Sequence, residues 1–205
     1  MKKFKLTSEF IVDISGVKLF RIKALIEFGN VKAGDLGGYI EKEENLSHMG
    51  NAWVSGNAQV SGDARVSGDA RVSGNARVFG NARVSGNAWV SGNAQVSGNA
   101  WISGNAQVSG DARVFGDARV SGNAQVFGNA RVSGDKDYAY AHGFGSCNRT
   151  TTFFRLKDGD VGVRCGCFYG TLAQFRDNVC ETHGETKKAQ EYLMLADLMD
   201  FRFKN

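Results

Sequence analysis

Three histidines and four cysteines have the widest chemical range of any side chains in this 205-residue sequence, and their placement limits what they can do. His48 and His142 flank a long run that contains neither residue type, and His183 shares the last third with Cys147, Cys165, Cys167 and Cys180. In Ala141-His142-Gly143-Phe144-Gly145-Ser146-Cys147 an imidazole and a thiol stand five residues apart, the pairing of a base with a nucleophile. The segment lacks a third group to orient the base, so it reads as a glycine-rich capping loop and no residue is assigned a catalytic role. Cys165-x-Cys167 and Cys180-x-x-His183 offer three sulfurs and an imidazole, the ligand types of a structural zinc site at an unusual spacing. Cys165 and Cys167 also continue the alternation of Val161 and Val163, which places them as thiols in a small core. The core reading is the expectation and the zinc set its alternative; no cofactor is implied.

Between these ends, the groups able to recognise a partner are arginines and aromatics that recur at fixed intervals. From Asn51 to Gly134 the sequence repeats S-G-N-A-x-V, with Asp sometimes replacing Asn and Phe sometimes replacing Ser. Val or Ile stands at position 54 and at every sixth residue to 132, giving 14 hexads without an insertion. Six matches neither the 3.6 period of a helix nor a long strand, because glycine recurs too often for either to continue. Each hexad must be a short strand, x-V-S, and a bend. The β-branched residue and the alanine point inward and the neighbours of the valine point outward. Gly followed by Asn or Asp forms the corner, since these residues tolerate a left-handed backbone or bond their own chain.

Three such sides close an 18-residue triangle, so the expected fold is mainly β: a left-handed parallel β-helix of four to five turns, about 22 Å long at roughly 4.8 Å per turn. Stacking at this interval sorts the outward residues into three faces. One carries Trp53, Arg71, Trp89, Gln107 and Gln125, with Phe127 at its far end, and Arg71 between two indoles reads as a cation–π ladder. The second carries Gln59, Arg77, Gln95, Arg113 and Arg131 beside Phe79 and Phe115, and the third carries Arg65, Arg83, Trp101 and Arg119. Serine is the default beside each valine, so outward aromatics and arginines are candidate interface anchors. They serve equally well to shield their own sheet or to meet folded-back termini. If exposed, the flat faces suit a protein partner or a symmetric oligomer, and the Arg–Trp face a single-stranded nucleic acid.

A solenoid needs caps, because open coil ends leave strands unpaired. Residues 1–50 read as an N-terminal β cap, 51–135 as the coil and 136–205 as a C-terminal α+β module. In the first, residues 9–14 and 17–28 are strand candidates joined at Ser15-Gly16. In the last, 151–156 and 161–168 form a hairpin around Lys157-Asp158-Gly159-Asp160. Thr171-Leu172-Ala173-Gln174 has capping-box form, Gly184 ends the helix that follows, and a second helix covers about 185–199 with Tyr192, Leu195, Ala196 and Met199 on one face.

Composition narrows the function classes. The net charge is +4, and residues 51–135 set seven Arg against five Asp, so no concentrated cationic patch announces a polyanion partner. No long apolar run marks a secretory signal or a membrane span, and clustered free thiols suit a reducing compartment, so a cytoplasmic protein without a membrane partner is expected. Ice-binding solenoids present ranks of threonine, and none occurs from residue 8 to 149. Calcium-binding rolls need aspartate-rich nonapeptides, which are also absent.

The segment Val31-Lys32-Ala33-Gly34-Asp35-Leu36-Gly37-Gly38-Tyr39-Ile40, continuing through Asn45-Leu46-Ser47 to Gly50-Asn51-Ala52-Trp53-Val54, resembles the lead-in to the YdcK-type hexapeptide-repeat β-solenoid proteins. Similar chains are common in phage and prophage genomes. The tail, with Gly166-Cys167-Phe168-Tyr169-Gly170-Thr171-Leu172 and Glu181-Thr182-His183-Gly184, resembles a terminal module carried by phage members. The resemblance implies the coil, a phage or prophage origin, residence in the host cytoplasm and a host or phage protein as partner, with inhibition of a host defence system among the roles. Members carry a hexapeptide-transferase label that rests on the shared coil, and fold does not carry function. Acyltransferases of that shape use a histidine base and loops that leave the coil. The 14 hexads here have neither, so an enzyme is the alternative and a binding or scaffolding protein the expectation.

Overall fold

A computed structural model describes residues 1–144 and 149–204 of the chain. β1 (Phe4–Val12) and β2 (Lys18–Ala24) form an antiparallel hairpin. Its turn is set by Asp13, whose Oδ1 accepts the N–H groups of Ser15 at 2.8 Å and Val17 at 3.0 Å. β3 (Leu36–Ile40) joins the hairpin to the coil, pairing antiparallel with β2 and parallel with the coil strand at Gln59–Val60. Each hexad then contributes one two-residue strand, from β4 (Trp53–Val54) to β17 (Arg131–Val132). The result is a parallel β-solenoid of about five turns with 18 residues per turn.

The predicted columns form as three parallel sheets. Trp53, Arg71, Trp89, Gln107 and Gln125 stack in one. Gln59, Arg77, Gln95, Arg113 and Arg131 stack in the second, and Arg65, Arg83, Trp101 and Arg119 in the third. Inside, alanine and valine of every hexad are buried, and Ile102 takes a valine position without a break. Each fully buried valine contributes about 1.5–3 kcal/mol. The columns reach upstream of the repeat: Ile40 pairs over Val60 and Leu46 over Val66, so the first turn forms from residues without the S-G-N-A motif.

The corners show why Asn and Asp alternate as they do. Asn57, Asn75, Asn93 and Asp111 form one ladder, each amide Nδ2 donating to the Oδ1 of the next turn at 3.4, 3.3 and 3.0 Å. Asn81, Asn99 and Asp117 form a second at 3.1 and 2.9 Å. A carboxylate accepts but cannot donate, so Asp stands where a ladder ends, at Asp111 and Asp117, or ahead of its first amide, at Asp63 and Asp69. The preceding glycines hold the left-handed backbone at each corner; Gly86 has φ +67°.

Backbone bonds flanking the strands run from an N–H of one turn to a carbonyl of the next, as from Ser55 to Val72 at 2.9 Å. The N-terminal rim is therefore rich in carbonyls and the C-terminal rim in N–H groups, and the caps answer with opposite chemistry. At the first rim Lys3 Nζ donates to the carbonyls of Gly50 at 3.3 Å and Ala52 at 2.8 Å. Asn45 Nδ2 donates to those of Gly62 at 3.0 Å and Ala64 at 2.8 Å. At the other rim Asp135 accepts the N–H of Arg119 at 2.9 Å and Thr152 Oγ1 that of Gln125 at 2.9 Å. Asp137 accepts the N–H groups of Ser133 at 2.8 Å and Gly134 at 3.2 Å. Burial opposes ionisation of Asp137, but these bonds, the Ser133 hydroxyl and Arg155 outweigh it and hold the carboxyl below its ordinary range. Tyr138 fills the remaining need for a donor, giving its hydroxyl proton to the Arg119 carbonyl at 2.6 Å.

The C-terminal module is a four-stranded antiparallel sheet, β18 (Tyr138–Phe144), β19 (Arg149–Arg155), β20 (Val161–Cys165) and β21 (Phe168–Thr171), covered by α1 (Leu172–His183) and α2 (Lys187–Phe203). On β19 the alternation divides two cores: Phe154 closes the coil, and Phe153 packs with Val163, Phe175, Tyr192 and Met199 under the helices. The capping box forms as expected, with Gln174 N–H to Thr171 Oγ1 at 3.3 Å and Thr171 N–H to Gln174 Oε1 at 2.9 Å, and Gly184 ends α1. Three readings are corrected. His142 lies in a strand, because Tyr138–His142 pairs with Thr150–Phe154, and not in a capping loop. The third strand of the module stops at Cys165, where Gly166 with φ +58° turns the chain, so Cys167 is exposed while Cys165 is half-buried. The second helix runs on to Phe203, which is buried.

Two outcomes follow from the ladders and the rims. Gly86→Ala puts a β-carbon 3.0 Å from the Gly104 N and O in a left-handed backbone, and should lower unfolding free energy by about 1–3 kcal/mol, whereas Asp111→Asn should change it by less than about 0.5 kcal/mol. Denaturant titration of the two variants checks this. For Lys3, burial lowers the ammonium to about 8 from its ordinary 10.5, with Asp69 pulling the other way. Between these values the unfolded chain holds a proton that the folded chain has lost, so stability rises with pH across that window. Relative to Lys3→Met, the wild type should gain up to about 3 kcal/mol from pH 8 to 10.5, read from denaturation midpoints.

Candidate functional site

The coil offers its outward columns on a backbone fixed at both rims, so each side chain is held at the strand repeat. Within them the aromatics divide into two groups. Trp53 is 8% exposed: the Phe28 ring packs against it edge-on, with the ring centroids 5.4 Å apart, and the N-terminal segment closes over it. Phe127 is half-buried beneath the Arg164 guanidinium, 4.8 Å from the ring centroid. These two expected anchors are corrected to cap contacts, each at the end of the coil where a terminal segment folds back.

Trp89 and Trp101, 48% and 42% exposed, stay open, as do Phe79 and Phe115 at just over a third. Each exposed indole is tethered. Trp89 Nε1 donates to Ser73 Oγ at 3.2 Å and Trp101 Nε1 to Ser85 Oγ at 3.1 Å, so a serine of the preceding turn fixes the ring. A shallow cavity of about 230 Å³ lies between Trp53 and Trp89, with Arg71, Ser73 and Val31 in its lining. The Arg–Trp stacking expected there does not form: among the described residues, no guanidinium of the coil lies over an indole.

Arg65, Arg71, Arg83, Arg113 and Arg119 are exposed, and Arg77 is half-buried beside Phe79. Neighbouring carboxylates are engaged elsewhere: Asp63 pairs with Lys42 at 2.8 Å, which holds its carboxyl below the ordinary range, and Asp117 accepts from Asn99. Among the described residues none of these arginines is ion-paired.

The histidine and cysteine groups are dispersed. His48 stacks on Phe4 at 4.3 Å, and its Nδ1 accepts the Lys3 N–H at 3.2 Å. His142 Nδ1 lies 3.0 Å from Thr150 Oγ1, and Cys147 lies outside the described residues. Cys165 Sγ accepts from Thr151 at 3.1 Å, Cys167 and Cys180 are exposed, and His183 stacks on Tyr192 at 5.9 Å. Among the described residues no three metal-ligating side chains converge, so the zinc alternative gains no geometry. Sequence reasoning passed over Lys3, Asn45, Asp135 and Asp137 as cap residues. The signal was available in the direction of the ladder, which leaves carbonyls at one rim and N–H groups at the other.

The coil, its two caps and its three faces define a parallel β-solenoid repeat protein. Its repeats match the YdcK beta solenoid repeat in eight segments, from 58–74 to 124–135, that together cover residues 58–92 and 94–135. Over those residues the coil is similar to the YdcK beta solenoid repeat. No curated protein matches it. Among the described residues no helix is long and apolar enough to cross a membrane.

If Trp53 is the only sheltered indole, the double variant Trp89→Phe, Trp101→Phe should emit at shorter wavelength than the wild type and resist acrylamide. Emission as readily quenched as in the wild type would contradict the cap contact.

Proposed function

We propose that this protein works without catalysis, as a rigid display on which coil faces bind a protein partner. The observation that carries this reading is the pair of tethered, half-exposed indoles. A large apolar group already fixed in one rotamer loses little entropy on binding, which is the property of an interface anchor. The unpaired arginines of the same faces add long-range attraction and bidentate bonding for carboxylates. The resemblance to phage-borne chains supports a further step: the protein is phage or prophage encoded and its partner is a host protein, one of a defence system among the candidates. The enzyme alternative finds less support, since the only imidazole near the coil exit, His142, sits on a strand beside Thr150.

A second reading is favoured by the engaged carboxylates beside Arg65 and Arg119. With Asp63 held by Lys42 and Asp117 by Asn99, the third face presents three unpaired guanidinium groups and Trp101, the elements of a single-strand platform.

Binding by purified protein separates these readings. A protein partner should be recovered from host extract as one dominant species, and Trp89→Ser or Trp101→Ser should weaken its capture by more than about tenfold, the loss of roughly 1.4 kcal/mol or more expected of an anchor. Equal capture by both variants would overturn the display reading. Salt-sensitive binding of a labelled oligonucleotide, lost on Arg83→Ala, would favour the platform instead, and acetyl-coenzyme A turnover lost on His142→Ala would favour the enzyme.

A further inference from the structure

The three corner ladders do not end alike. Two close on a carboxylate, Asp111 and Asp117. The third runs from Asn87 to Asn105 at 3.1 Å and from Asn105 to Asn123 at 3.0 Å, and stops on an amide. The Nδ2 group of Asn123 has no acceptor among the described residues, because the coil ends before another turn can supply one. All the amide dipoles in this ladder point the same way, so its open end carries partial positive charge, strengthened by the polarisation that runs along a chain of hydrogen bonds.

The C-terminal module brings more donors to that end. β18 contributes His142 and β19 contributes Arg149, and with Asn123 they line a cavity of about 380 Å³. The Arg149 guanidinium lies over Gly166, where a β-carbon would collide with it, and it makes no ion pair among the described residues. His142 meets Thr150 through Nδ1, leaving its other ring nitrogen without a partner among the described residues. No carboxylate lines the cavity, and the side chains of Gln107 and Gln125 complete a wall of amides, each able both to donate and to accept.

We propose that this open ladder end is a binding site for a small hydroxylated anion, a sugar acid or a sugar phosphate. Its charged head takes the place that Asp111 and Asp117 occupy in the other two corners, between Asn123 and Arg149, and its hydroxyls meet Gln107 and Gln125. Carboxylate and phosphate share the recognition chemistry, since a guanidinium binds either with two parallel hydrogen bonds. The cavity has room beside the head group, and the amides of Gln107 and Gln125 that line it suit a polyhydroxy body there.

Calorimetry with glucuronate, glucose 6-phosphate and neutral glucose tests the assignment, with amide side-chain spectra of Asn123 as the local readout. At least one of the two anions should bind saturably and shift the Asn123 side-chain resonances, with glucose weaker by more than about tenfold. Whichever anion binds more tightly identifies the head group. Asn123→Asp ends this ladder on a carboxylate like the other two, removing the free donor and placing a negative charge against the anion. It should fold as stably as the wild type, as Asp does in the other corners, and lose affinity by more than about tenfold. Arg149→Met should lose as much while leaving the ladder intact. The site is refuted if neither anion binds below about 10 mM, if glucose binds equally, or if Asn123→Asp binds like the wild type.

Discussion

The hydrogen bond from one turn of the coil to the next, repeated every 18 residues, is the constraint from which the rest of this structure follows. Because the interval never changes, each hexad must place valine, alanine, glycine and asparagine above their counterparts. A core two side-chain types wide is then enough, since its stability is shared between stacked aliphatics and a continuous ladder. The same bond has a direction. Flanking N–H groups point toward the later turn, so one rim of the coil collects carbonyls and the other N–H groups, and each terminal segment is chosen for the chemistry its rim lacks. A buried ammonium and an amide close the first rim, and carboxylates and a hydroxyl close the second. Lys3 is the costliest of these, a cation placed out of water, and it is tolerated because the carbonyls beneath it have few other donors.

Direction also governs the side chains. An asparagine can relay a hydrogen bond along a column, and an aspartate can only receive one. An aspartate in a column thus marks a break in the relay, and the exchange of one for the other, conservative in shape, changes what the next turn is offered. The faces between the corners are free of this bookkeeping, which is why variation collects there. Arg, Gln and Trp exchange at the outward position without disturbing the valine beneath, so the fold separates a fixed interior from a surface that can be rewritten.

The solenoid, its three columns, both hairpins and the capping box at Thr171 were legible because each depends on neighbours in sequence or on an unbroken period. The failures arise from contacts distant in sequence and from one local break. Trp53 and Phe127 have the outward register of Trp89, and only the return of the N-terminal segment and of Arg164 covers them. Cys167 continues in sequence an alternation that Gly166 breaks in the fold, and His142 stands in a glycine-rich stretch whose strand partner, Thr150, lies eight residues on.

The sequence by itself determined the period, the inward and outward assignment of every hexad, and the residue columns of each face, since stacking at a constant interval leaves no freedom. Tertiary structure alone decided which outward groups reach solvent, which polar groups seal the rims, and which ladder ends without an acceptor. Those properties depend on where chain segments far apart in sequence come to rest, and local periodicity carries no information about such contacts.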